Sequence, residues 1–141
     1  MKPFIKKLLK RDCITVSYEA TIKEVAALLA KKSIGAVPVT NENEEVIGIV
    51  SERDIVRNLN NRDVDITSEK VATIMTKSVI SAPKTVSSSD LMEIMTENKI
   101  RHVLIMEEKA LLGIVSIGDV VKRLIEKLEG EAEQLRFFIN S

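Results

Sequence analysis

Short apolar runs alternate along the chain with stretches in which apolar residues recur at helical spacing, and the same order occurs twice. The runs are rich in β-branched residues, which is typical of strands. In the first half the pattern predicts strands over 13–17, 37–40 and 46–50 and helices that begin at Thr21 and Asp54. In the second half it predicts strands over 79–82, 103–106 and 111–115 and helices that begin at about Ser87 and at Asp119. Each half is therefore predicted to be a β-α-β-β-α unit.

One motif carries most of the repeat. Residues 48–55, with the sequence GIVSERDI, return as residues 113–120, with the sequence GIVSIGDV, 65 positions later. Before the polar loop 40–45 the two halves match at a spacing of 66, so one residue was lost in that loop. Two copies are too few for a solenoid, which needs at least three repeats. We therefore predict an α/β fold of two pseudo-two-fold units that share one core.

Composition narrows the class of protein. The chain has 141 residues, enough for one compact module, and equal numbers of basic and acidic residues, 21 of each. We therefore expect no nucleic-acid partner. No apolar run reaches 18 residues, so we expect no membrane span. Residues 1–11 are basic but lack the features of a secretory signal, and the single Cys13 excludes an internal disulfide, which together predict a cytoplasmic location.

Three pairs of polar residues have the spacing of a capping box at a helix start. They are Thr21 with Glu24, Ser51 with Asp54, and Ser116 with Asp119. A purely structural interpretation is sufficient for each pair, because nearly every helix needs its free amides satisfied. A functional interpretation is also open for the last two pairs. Helix-start amides bind phosphate, and a carboxylate accepts hydrogen bonds from vicinal hydroxyls.

The combination of these features resembles a tandem pair of CBS (cystathionine β-synthase) domains. The resemblance is carried by the repeated β-α-β-β-α order, the Gly-h-h-Ser-x-x-Asp endings (h, hydrophobic), the segment IGAVPV at 34–39 and the lead-in IMT at 74–76. It implies a first repeat over 5–65, a second over 71–128 and a helical tail over 129–141. It also implies that the repeats pack as one module, with two clefts that bind AMP, ADP, ATP or S-adenosylmethionine as regulatory ligands. Such a module would signal to a partner protein, whose identity the sequence does not give.

The resemblance assigns residues to a first cleft. Asp54 would accept from ribose hydroxyls, Ser51 would donate toward phosphate, and the backbone of Ile80 and Ala82 would contact the adenine edge. Arg101 and His102 match the basic pair that holds phosphates in nucleotide-binding relatives, although such a pair is otherwise typical of a solvated loop. The cleft as a whole would comprise Ser51, Arg53, Asp54, Ile80, Ser81, Ala82, Arg101 and His102.

A second cleft would use the equivalent positions of the other repeat. Its residues would be Thr15, Val16, Ser17, Ala36, Ser116 and Asp119. Gly35 and Ala36 stand where the first cleft has its basic pair, so we expect the second cleft to bind phosphate more weakly.

Catalysis finds little support in the sequence. One His and one Cys, far apart, do not make a metal site, and no Gly-x-Ser-x-Gly nucleophile elbow is present. We therefore predict a stand-alone regulatory pair without catalytic residues, metal or cofactor. The alternative is a structural or dimerisation module in which the Ser and Asp residues only cap helices.

The C-terminal segment differs from the repeats. Residues 121–138 are predicted to be helical with an interruption at Gly130, and their apolar positions include Leu128, Leu135, Phe137 and Phe138. This tail either packs back on its own repeat or forms a subunit contact. We favour the contact and hence a homodimer.

Overall fold

A computed structural model describes all 141 residues of the chain. Two three-stranded sheets form, with strand orders β1-β2-β3 and β4-β5-β6. In each sheet the short first strand runs parallel to the second, as Val16 pairs with Val39 and Ser81 with Leu104. The strands are β1 Val16–Ser17, β2 Ala36–Thr40, β3 Val46–Ser51, β4 Ser81–Ala82, β5 His102–Glu107 and β6 Ala110–Ser116. The helices are α1 Pro3–Leu8, α2 Ile22–Lys32, α3 Glu52–Leu59, α4 Ser88–Asn98 and α5 Ile117–Asn140, with a single 3-10 turn at Val71–Thr73.

The predicted β-α-β-β-α order is confirmed in both repeats, and so is the α/β class. The first strand of each repeat is shorter than predicted, because only Val16–Ser17 and Ser81–Ala82 reach a neighbouring strand. The predicted interruption at Gly130 is wrong, since the 24-residue helix α5 continues through this position. The sequence pattern did not predict α1, a six-residue helix with proline in its first turn.

The chain divides into two compact units whose boundaries differ from those of the sequence repeats. The first unit contains Asp12–Ile80 and Glu108–Leu111, and the second contains Met1–Arg11, Ser81–Glu107 and Leu112–Ser141. The eleven N-terminal residues thus fold with the second repeat. The repeat boundaries given above describe the sequence and stay a prediction.

Each unit has its own cluster of buried apolar side chains, and the sharing of one core stays a prediction. In the first unit the cluster comprises Ile22, Val25, Leu29, Val37, Val39, Val50, Ile55 and Val71. In the second unit it comprises Ile5, Ala82, Val86, Leu91, Met95, Val103, Ile105, Val115 and Val120. The longest helix, α5, carries too many charged residues for a bilayer, and the other helices do not qualify as membrane spans either.

The glycine that opens the repeated motif allows a close approach in each unit. A Cβ at Gly48 would lie 2.6 Å from Met75 Sδ and 3.0 Å from the Thr76 carbonyl oxygen. That carbonyl cannot easily retreat, because Thr76 and Ile49 exchange two backbone hydrogen bonds of 2.8 and 2.9 Å. At Gly113 a Cβ would meet only the tip of the Leu9 side chain, at 2.8 Å.

We therefore expect Gly48→Ala to lower the free energy of unfolding by about 1–3 kcal/mol, the usual cost of overpacking. Gly113→Ala should cost less, because a leucine tip can rotate away from the added methyl group. Gly130→Ala is the control: a Cβ added to Gly130 in α5 would have nothing within 4 Å, so the change should stabilise by about 0.5–1 kcal/mol. Urea unfolding of the three variants measures this order. Equal effects of Gly48→Ala and Gly113→Ala would contradict it.

Candidate ligand-binding sites

In the first unit, strand β3 turns directly into helix α3, and the residue at the turn caps the helix. The Ser51 hydroxyl accepts from the Asp54 amide at 3.3 Å and donates to Asp54 Oδ2 at 3.1 Å. The Ser51 amide donates to the same carboxylate oxygen at 2.9 Å. This reciprocal capping box confirms the predicted pairing and leaves both side chains only partly buried.

The second unit repeats this arrangement where β6 turns into α5. Ser116 and Asp119 form the same three hydrogen bonds, at 2.9, 3.0 and 3.2 Å. The box predicted at Thr21 is only half formed: its hydroxyl accepts from the Glu24 amide at 3.1 Å, without the return bond from Glu24. The two sites that share the Ser-x-x-Asp motif are therefore geometrically alike and differ from the ordinary cap of α2.

Most of the free amides at these two helix starts are satisfied within the chain. The Glu52 amide donates to the Gly35 carbonyl at 2.9 Å, and the Ile117 amide donates to the Arg101 carbonyl at 2.8 Å. With the serine and aspartate amides bonded inside the box, the remaining donors are the amides of Arg53 and Gly118. Each helix start thus presents one backbone donor beside a hydroxyl and a carboxylate, a combination suited to a sugar hydroxyl or a phosphate oxygen.

The other predicted site residues lie on the same two sheets. Ala36 is buried and pairs with Ser51 across β2 and β3, while Val16 and Ser17 form β1. In the second unit Ser81 and Ala82 form β4, and the partly buried His102 begins β5. Arg53, Arg101 and Thr15 are exposed, and Ile80 is partly buried at the end of the first unit.

The structure therefore assembles the site residues in part. Ser51, Arg53 and Asp54 come together in the first unit, and Ser116 and Asp119 come together in the second. The remaining residues of each predicted cleft belong to the opposite unit, with Ile80 the exception. Their convergence on one ligand remains a prediction.

Arg11 contacts the second site, and the sequence did not predict this contact. Its Nη1 donates to Asp119 Oδ1 and its Nη2 donates to Asp119 Oδ2, both at 3.0 Å. Nη2 also donates to the Ile114 carbonyl at 3.2 Å. A local motif could not have shown this ion pair, because 108 residues separate its partners.

Arg11 also sets the ionisation of the second site. Burial alone would raise the pKa of the Asp119 carboxyl. The hydrogen bonds and the positive charge of Arg11, together with the backbone and side-chain hydrogen bonds of Ser116, outweigh burial. They lower the pKa of Asp119 below its ordinary value. Asp119 is therefore held as a carboxylate with both oxygens engaged.

A metal site needs several ligating side chains at close spacing. No three His, Cys, Asp or Glu side chains gather where they could hold a metal ion. The serine hydroxyls at the two sites donate to aspartate carboxylates and accept from backbone amides, and these bonds stabilise the helix starts.

The chain belongs to the CBS domain family, which matches residues 5–61 and 71–126. It is similar to an inosine-5'-monophosphate dehydrogenase of Methanocaldococcus jannaschii, with 30% identity over 114 residues, covering 80% of this chain and 22% of that protein. A 17.7 kDa protein of Acidianus ambivalens is 36% identical over 112 residues, covering 79% of this chain and 66% of that one. The chain thus spans less than two thirds of the length of these relatives.

Solved structures of CBS-domain proteins share the fold. The CBS domain protein PAE2072 from Pyrobaculum aerophilum, complexed with AMP, is 33% identical with a TM-score of 0.74, covering 82% of this chain and 88% of that one. The CBS domain pair of protein MJ0100, in complex with 5'-methylthioadenosine and S-adenosyl-L-methionine, is 25% identical with a TM-score of 0.77. That likeness covers 87% of this chain and 96% of the other.

We expect Arg11→Ala to lower the free energy of unfolding by about 0.5–1 kcal/mol near neutral pH, the scale of a partly exposed ion pair. The Arg11 side chain is 52% exposed, so screening by solvent limits the effect. Since the pKa of Asp119 is lowered in the folded chain, the stabilisation is present above about pH 4 and is lost as the pH falls through that lowered pKa.

Urea unfolding between pH 2.5 and pH 7 measures this difference. Lys77→Ala is the matched control, because Lys77 is the equivalent of Arg11 at the spacing of 66 and forms no ion pair. A difference between wild type and Arg11→Ala that persists unchanged at pH 2.5 would show that the ion pair is not its source.

Proposed function

We propose that the protein is a regulatory module that senses an adenosine-containing ligand through its two Ser-x-x-Asp sites and signals to a partner protein. The observation that carries this proposal is the Ser51–Asp54 site. It presents a carboxylate, a hydroxyl and one backbone amide at a single helix start. The AMP complex and the S-adenosylmethionine complex of related proteins support an adenosyl group as the ligand.

The chemistry of the Ser51–Asp54 site suits a ribose. Asp54 Oδ2 already accepts from the Ser51 amide and hydroxyl, and no lysine or arginine pairs with the carboxylate. The carboxylate can therefore also accept hydrogen bonds from the vicinal hydroxyls of a ribose, as acidic residues do in nucleotide sites. Arg101 and His102 of the first predicted cleft would add donors for a phosphate.

Thermal unfolding with AMP, ATP and S-adenosylmethionine, each added separately, tests the proposal most directly. A ligand present at 100 times its dissociation constant adds about 2.7 kcal/mol to stability. The expected result is a higher Tm with at least one of the three. Unchanged Tm with all three, at millimolar concentration, would favour a module without a nucleotide ligand.

Asp54 separates the binding role from the capping role. We expect Asp54→Asn to weaken adenosyl-ligand binding by about 1.5–3 kcal/mol, the scale of hydrogen bonds to a charged group. Asparagine keeps an oxygen that can accept from the Ser51 amide, so the cap is largely retained. Calorimetric titration and urea unfolding of the same variant give the two quantities. Lost stability with unchanged affinity would assign Asp54 to capping alone.

A homodimer is the second part of the proposal, supported by helix α5. Beyond Val120, which is buried, one face of the helix repeats apolar residues at alternating spacings of four and three. The face comprises Val121, Ile125, Leu128, Ala132, Leu135 and Ile139, and its large side chains are 40–71% exposed. Isoleucine at one seam position and leucine at the other favours a two-stranded parallel coiled coil.

Charge agrees with a parallel pairing of two copies. In that register Glu131 flanks the seam five residues before Arg136, so Glu131 of one copy faces Arg136 of the other. An antiparallel pairing centred on the same residues would oppose Glu131 to itself. The exposed seam is also the observation that favours the alternative function, a dimerisation module in which the capping boxes bind no ligand.

We expect Leu128→Glu to convert the dimer to a monomer, because it places two carboxylates against each other within an apolar seam. Sedimentation velocity measures the mass. Gln134→Glu is the control, since this residue lies outside the seam of the same helix. A monomeric wild type, or a dimer that survives Leu128→Glu, would rule out this contact.

We further propose a cytoplasmic location and a regulatory rather than catalytic role. The single cysteine, the equal numbers of charges and the use of both serines as helix caps support this assignment.

A further inference from the structure

The two Ser-x-x-Asp sites differ at one position that the proposed function does not use. In the second unit the Arg11 guanidinium donates one hydrogen bond to each oxygen of Asp119 and a third to the Ile114 carbonyl. In the first unit the equivalent residue is Lys77, which is exposed and in no ion pair. The capping boxes are otherwise the same within 0.1 Å in each of their three bonds.

Arg11 donates to the same carboxylate oxygens of Asp119 to which ribose hydroxyls would donate. A bidentate guanidinium fits a carboxylate with two parallel charge-assisted hydrogen bonds, whereas ribose hydroxyls are neutral donors. Asp119 Oδ2 already accepts three hydrogen bonds and Oδ1 accepts one, so a ribose must displace at least one of the two Arg11 bonds before Asp119 can accept from both of its vicinal hydroxyls. Half of the Arg11 side chain is exposed, at 52%, so displacement costs a limited amount rather than unfolding the region.

Arg11 lies outside both sheets. It follows α1, which ends at Leu8, and precedes β1, which begins at Val16. Its backbone amide bonds to the Leu8 carbonyl at 3.1 Å, so it is held by the end of α1. The side chain reaches the start of α5 from there.

We propose that Arg11 is a specificity-determining residue that closes the Asp119 site to ribose hydroxyls, so that the Asp54 site takes an adenosyl ligand first. This inference rests on the proposed function. It attributes the inequality of the two sites to the Arg11 contact with the Asp119 carboxylate. The difference between Arg101–His102 and Gly35–Ala36 in the sequence adds to this inequality.

The test is calorimetric titration of the full chain with 5'-methylthioadenosine, a neutral ligand that has both ribose hydroxyls and no phosphate for Arg11 to bind. Wild type should show one tighter and one weaker site per chain. Arg11→Gln should tighten the weaker site about fivefold, the factor equivalent to about 1 kcal/mol, and should leave the tighter site unchanged. Lys77→Gln is the matched control and should change neither.

The outcomes separate this inference from the proposed function. If Arg11→Gln weakens the second site or leaves it unchanged, Arg11 is not a closing residue, although the proposed function stands. If neither 5'-methylthioadenosine nor AMP nor S-adenosylmethionine binds to wild type or Arg11→Gln, both proposals fall. Asp119→Asn identifies the weaker site: its loss in this variant is expected, and loss of the tighter site instead would mean that the Asp119 site is open despite Arg11.

Discussion

The structure depends on satisfying the backbone amides where a buried strand turns directly into a helix. At the β3–α3 turn no loop residues intervene, so the chain has to supply acceptors from Ser51, Asp54 and the Gly35 carbonyl. The first sheet, the turn before β2 and helix α3 are thereby tied to one point. The second unit solves the same problem with Ser116, Asp119 and the Arg101 carbonyl.

The same constraint leaves room for the binding role proposed for the Ser-x-x-Asp motif. The cap uses one carboxylate oxygen of Asp54 and the hydroxyl of Ser51, but a carboxylate has about four acceptor positions and a hydroxyl has two. Acceptor capacity is left over, and it is held rigidly by the cap. Folding and ligand recognition can therefore draw on the same residues, and a substitution at Asp54 has to be examined for both.

The sequence predicted the parts of the fold that are set locally. Strand and helix order followed from the period of apolar residues, and both capping boxes followed from their spacing of three. Features set by distant contacts were missed: α1 is too short to show a period, and Ile5 is buried only because α1 packs in the core of the second unit. Gly130 suggests a helix break in the sequence, yet one isolated glycine costs too little to end a helix of 24 residues. The Arg11 ion pair depends on that same distant packing of the N-terminal segment.

Duplication gives a way to separate what the fold requires from what function has changed. Positions that the fold requires are the same in both repeats: glycine at 48 and 113, serine at 51 and 116, aspartate at 54 and 119. Other equivalent positions have diverged, with Lys77 against Arg11 and Gly35–Ala36 against Arg101–His102. The first difference changes where a cation lies and the second changes the number of basic side chains, while the carboxylate, the hydroxyl and the backbone donor stay constant. Under the proposed function, two sites of one geometry but different charge would respond to different concentrations of ligand, which would extend the range over which a single chain senses it.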